Sequence, residues 1–80
     1  MNPSNVDFVD SKSILVINPT GKMRQVFVPF RVQVQTDTTT YKKSSWLIVD
    51  EVQAHSRHKL LYKIGDSWWQ YNLFRLAVVF

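Results

Sequence analysis

Residues 59–71, KLLYKIGDSWWQY, constrain the fold more than any other stretch of this chain. Gly65-Asp66 separates two runs rich in aromatic and branched residues, and glycine in first place suits a two-residue type II′ hairpin loop. Such a loop sets Ile64 opposite Ser67, Lys63 opposite Trp68 and Tyr62 opposite Trp69. Because strand side chains alternate between faces, Leu60, Tyr62, Ile64, Trp69 and Tyr71 fall on one side. Lys59, Leu61, Lys63, Trp68, Gln70 and Asn72 fall on the other. The first set is a core face, which makes Trp69 structural. Trp68 is left on the mixed face beside Lys63.

The rest of the chain carries the same period of two. SILVI (13–17) predicts a buried strand, NPTG (18–21) a turn, and RQVFV (24–28) the returning strand of a first hairpin. In FRVQVQTD (30–37), Phe30, Val32 and Val34 alternate with Arg31, Gln33 and Gln35, as in a half-buried antiparallel strand. Pro29 cannot donate to a ladder and marks a break before it. The polar stretch TDTTTYKKSS (36–45) predicts a mobile connection. SWLIVDEVQAH (45–55) predicts a long strand whose apolar positions change phase at Asp50-Glu51, the mark of a bulge or bend. SRH (56–58) is a tight turn, and LFRLAVVF closes the chain as a strand. A helix competes for the last segment. Ser67 and Gln70 have capping-box spacing, and Trp69, Leu73, Leu76, Ala77 and Phe80 helical spacing. The aromatic and β-branched content favours a strand, with a 3₁₀ turn around residues 71–74.

The expectation is therefore an all-β protein: a small open barrel of five to seven antiparallel strands with an extra N-terminal hairpin. Eighty residues support one domain, assigned to 13–80, with 1–12 as a loose polar lead-in. A chain of this size buries only about 60% of the surface its unfolded form exposes. With no cysteine, disulfides, thiolate chemistry and cysteine-bound zinc are out of reach. Cohesion has to come from packing, to which a 14% aromatic content contributes large buried areas. The longest apolar runs, ILVI (14–17) and LAVVF (76–80), are far too short to span a bilayer as helices. No basic n-region opens the chain, so the expected setting is the cytoplasm, without membrane contact.

From Phe30 onward the order of elements resembles the Src-homology-3-like small barrel. FRVQVQ is similar to its first strand, and YKKSSWLIVDEV to its diverging turn and second strand, with Ser44-Ser45 where Gly-Asp is usual. KLLYKI, GDS and WWQY resemble the third strand, distal hairpin and fourth strand; NLF and RLAVVF resemble the 3₁₀ turn and last strand. The likeness covers residues 30–80. The signalling members carry Ala-Leu-Tyr-Asp-Tyr and Pro-x-x-Tyr; neither is present, and Gln70 stands where that proline would be. Binding of proline-rich peptides is not implied, and this barrel class leaves the choice between nucleic acid and protein partners open.

The residues give little support to catalysis. His55 and His58 are spaced His-x-x-His, but Arg57 and Lys59 surround them and no cysteine completes a zinc set. Asp50 and Glu51 are neighbours on a strand and do not form a paired acid and base. There is no Gly-x-Ser-x-Gly elbow, and two glycines in all leave no phosphate-cradling loop. The expectation is a non-enzymatic binding module without metal or cofactor. A net charge of +4 and a pI near 9.7 favour polyanions. Trp68 flanked by Lys59 and Lys63, joined by Lys42, Lys43 and Arg31, would stack a base and meet phosphates of a nucleic acid. The alternative is a protein-interaction or self-assembly module, pairing through the uncharged LAVVF strand, the first hairpin or an aromatic surface.

Overall fold

The computed structural model describes residues 5–78, Asn5 by its backbone alone. Strands make up 58% of the described residues and no α-helix occurs among them, as the all-β expectation requires. The described residues form nine strands in three three-stranded antiparallel sheets, and no closed barrel is found among them. The first sheet has the order β1 (Asn5–Asp10), β2 (Ser13–Ile17), β3 (Met23–Phe27). In the second, β4 (Phe30–Val34) lies between β5 (Trp46–Val49) and β9 (Phe74–Leu76). The third has the order β6 (Glu51–His55), β7 (Lys59–Ile64), β8 (Ser67–Gln70). A 3₁₀ turn at Tyr71–Leu73 precedes β9, in the place its sequence predicts.

One segment departs from expectation. Residues 1–12 read as a loose lead-in, yet Asn5–Asp10 is a strand that pairs along β2, from Asn5 opposite Ile17 to Asp10 opposite Ser13. The alternation in VDFV is short, but β2 is strongly apolar and supplies the template. Val6 is buried against the common core, which gives the strand its anchor. Residues 1–4, including Pro3, and residues 79–80 of the closing LAVVF run lie outside the described residues. Within that run the strand is shorter than expected and ends at Leu76.

All three sheets contribute to one core. Val6, Ile14 and Val16 come from the first, Phe30, Val32, Val34, Val49, Phe74 and Leu76 from the second, and Val52, Leu60, Tyr62 and Ile64 from the third. The expected turn chemistry is present. Asn18 Oδ1 accepts from the backbone N–H of Thr20 and Lys22, at 3.1 and 2.9 Å, and closes the 18–21 turn. Gly65 has φ +61° and Asp66 is not in the positive-φ region, as a type II′ loop with glycine first requires. The hairpin register is the expected one, with Tyr62 opposite Trp69, Lys63 opposite Trp68 and Ile64 opposite Ser67.

The change of phase at Asp50-Glu51 also has a structural counterpart. β5 ends at Val49, β6 begins at Glu51, and the inward positions move from Val49 to Val52. Asp50 stands between the two strands, its backbone N–H donating to the Lys63 carbonyl at 2.9 Å. One bent run of chain thereby belongs to two sheets.

Candidate nucleic-acid interface

The expected site residues separate into two groups. Lys63 and Trp68 are cross-strand partners on the outer side of the third sheet, and Trp68 is 40% exposed. Glu51 is the register partner of Lys63 on its other side, so an acid, a base and an indole form one row across β6, β7 and β8. Lys59 lies at the far end of β7, opposite His55, and its ammonium pairs with Asp7 of β1 at 3.2 Å. Lys59 also has φ +63°, since the 56–58 turn hands the chain back in a left-handed residue. On this face carboxylates accompany both lysines.

Arg31 belongs instead to the second sheet, and Lys43 to the connection between its strands β4 and β5. Arg31 is on the outer face of β4, and its guanidinium carbon lies 5.5 Å from the centre of the Trp46 ring on β5. Trp46 is 53% exposed, more than Trp68. Its register partner is Gln33, whose partner on the other side is Arg75 of β9. The outer face of this sheet thus holds Arg31, Gln33, Trp46, Ile48 and Arg75, without an acidic residue among them. The guanidinium beside an exposed indole is the cation–π contact found among the described residues, and it is Arg31 on Trp46 rather than Lys63 on Trp68.

The long polar connection is extensively hydrogen-bonded. Thr38 Oγ1 accepts from the backbone N–H of Tyr41 at 2.8 Å, and Asp37 Oδ1 from that of Lys43 at 2.6 Å. Ser44, at φ +75°, donates its N–H to the Val34 carbonyl, while its own carbonyl accepts from Gln33 Nε2. These bonds hold Lys43 and Ser44 against the end of β4. There they line a cleft of about 280 Å³ with Gln33, Val34, Gln35 and Arg75. Lys42 gives its carbonyl to the Ser45 N–H within the same loop. A second cleft, about 250 Å³, lies beside it and shares Gln35 and Arg75; Tyr62, Tyr71 and Asn72 are among its other walls.

The two adjacent tryptophans divide as alternation requires. Trp69 packs against the core, with its ring centre 5.4 Å from that of Tyr41. Its Nε1 is buried without a hydrogen-bond partner. His55 and His58 stack at 4.8 Å, and His55 Nδ1 accepts from the backbone N–H of Arg57 and His58. That occupies one imidazole nitrogen in closing a turn. Among the described residues no group of three or more His, Cys, Asp or Glu comes together to hold a metal ion, and no helix is long and apolar enough to cross a membrane.

Sequence reasoning passed over Trp46 and Arg75. A signal for both existed. Once Arg31 and Gln33 are assigned outward, their register partners on β5 and β9 must point outward as well. No protein-family model, curated protein or solved structure matches the chain.

Proposed function

We propose that this protein is a non-enzymatic binding module for nucleic acid, built on an open barrel of the Src-homology-3-like kind. The strand pairing supports the architecture: β9-β4-β5 continues through the Asp50 bend into β6-β7-β8, so the six strands after Pro29 follow one another in a single winding order. The observation that carries the function is the exposed Trp46 with the Arg31 guanidinium beside it, on a sheet face that adds Arg75 and no acid. An aromatic platform within a cationic groove is what an unpaired base and its phosphates need. The Lys63–Trp68 row is the weaker platform, because Glu51 stands next to Lys63.

The test is anisotropy of a fluorescently labelled oligothymidine titrated with wild type, Trp46→Ala and Trp68→Ala. Binding is expected to be saturable, to fall steeply with salt, and to weaken about tenfold or more in Trp46→Ala alone, stacking being worth roughly 1–3 kcal/mol per base. A larger loss in Trp68→Ala would move the site to the third sheet. Absence of binding at low salt would end this reading.

A second reading rests on the first sheet. Its edge strand β3 exposes Met23 (64%) and Phe27 (62%), a surface that suits pairing with another protein or a second copy. Concentration-dependent size in sedimentation, insensitive to salt and reduced by Phe27→Ser, would favour it.

A further inference from the structure

We propose that the cleft at the end of β4 is a phosphate subsite: it takes the backbone phosphate next to the base stacked on Trp46, so the preferred ligand is single-stranded. This rests on the nucleic-acid reading above and specifies its ligand. Trp46, Gln33 and Arg75 are register partners on three successive strands. Neighbouring strands lie roughly 4.8 Å apart, so Arg75 is about 10 Å from Trp46 along the row, within the reach of a dinucleotide.

The walls of the cleft suit an oxyanion. Lys43 and Arg75 bring positive charge, Ser44 and Gln35 bring a hydroxyl and an amide, and no carboxylate lines it. Asp37, outside the lining, accepts the Lys43 backbone N–H at its Oδ1. The cleft is also built in advance. Gln33 Nε2 holds the Ser44 carbonyl at 3.2 Å, the Ser44 N–H holds Val34 at 2.7 Å, and the Gln35 N–H holds Leu73 at 2.9 Å. A ligand entering it would order few backbone segments, which lowers the cost of binding. A flat sheet face with one exposed indole offers nothing that enters a duplex groove, but it can accept an unstacked base.

The experiment compares wild type, the double variant Lys43→Gln/Arg75→Gln, and Lys63→Gln as a charge control on the other face. Each is titrated with labelled oligothymidine between low and high salt, and with the uncharged methylphosphonate analogue. The double variant is expected to bind about tenfold more weakly at low salt. Its slope of log affinity against log salt should shrink by about 0.7–1.4, the contribution of one or two phosphates on a single strand. Lys63→Gln should leave the slope unchanged, and the uncharged analogue should bind wild type and double variant alike. An unchanged slope in the double variant, with Trp46→Ala still weakening binding, would overturn the subsite and leave the nucleic-acid reading standing. Failure of wild type to bind any oligonucleotide would overturn both. Equal affinity for duplex and single strand would also overturn it.

Discussion

Arg31 and Trp46 are diagonal neighbours across β4 and β5, and the guanidinium carbon sits 5.5 Å from the indole centre. The contact fixes a cation beside a flat ring that is more than half exposed. At such exposed sites a cation–π contact is worth about 0.5–1 kcal/mol. A double-mutant cycle with Arg31→Gln and Trp46→Leu, read by urea denaturation, should return a coupling of that size. The matching cycle for Lys63 and Trp68 should return less, since no such contact joins them.

Gly65 takes φ +61° at the tip of the β7–β8 hairpin, and a Cβ built there meets nothing within 4 Å. Any penalty for Gly65→Ala is then one of backbone conformation alone, about 1–2 kcal/mol. The urea midpoint should fall with an unchanged m value. A D-alanine introduced by chemical synthesis at the same position should be tolerated, since it favours positive φ.

Tyr62 is the largest fully buried side chain among the described residues, edge-on to Phe30 at 5.4 Å and close to Phe74 and Tyr71. Burial, with Tyr71 as the lesser cause, raises its phenol well above the ordinary value of 10.0. The folded state therefore prefers the neutral phenol. Its contribution is fully present below about pH 10 and declines above that pH, where the unfolded chain ionises first. Urea midpoints measured from pH 8 to 11 should drop at the alkaline end. In Tyr62→Phe the part of the drop belonging to this residue should vanish.

The first sheet shares its core with the other two, and the three are expected to unfold together. Ile14 is fully buried in the common core, and Ile14→Ala should cost about 2–5 kcal/mol. All three tryptophans, Trp46, Trp68 and Trp69, lie in the other two sheets. Their fluorescence transition should nevertheless shift with this substitution, and by the same amount as far-ultraviolet circular dichroism. A shift in only one of the two signals would show that the sheets unfold separately.

Much of this arrangement was legible because strand chemistry is local. The Gly65-Asp66 loop dictated the register of Lys63 with Trp68, and the phase change at Asp50 announced the bend. β1 was not legible. Half of its six residues are polar or acidic, and they adopt a strand because β2 presents a ladder and Val6 finds the core. The interface was half legible for a related reason. Arg31 and Lys43 were evident as charges, but that Arg31 would meet Trp46 and Lys43 would share a cleft with Arg75 depended on sheet pairing. A period of two says which residues share a strand's face; it does not say which strands lie side by side.

The tight turn between β1 and β2 is exposed, a place where added residues are ordinarily harmless. Here its two carbonyls face in different directions: Ser11 accepts the Val52 N–H at 3.0 Å and Lys12 the Val28 N–H at 2.8 Å. Two consecutive peptide groups thus moor the first sheet to β6 and to the link leading into β4. Lengthening the turn by one residue would keep every side chain and still slacken both moorings, so an exposed corner of the molecule is among its least forgiving.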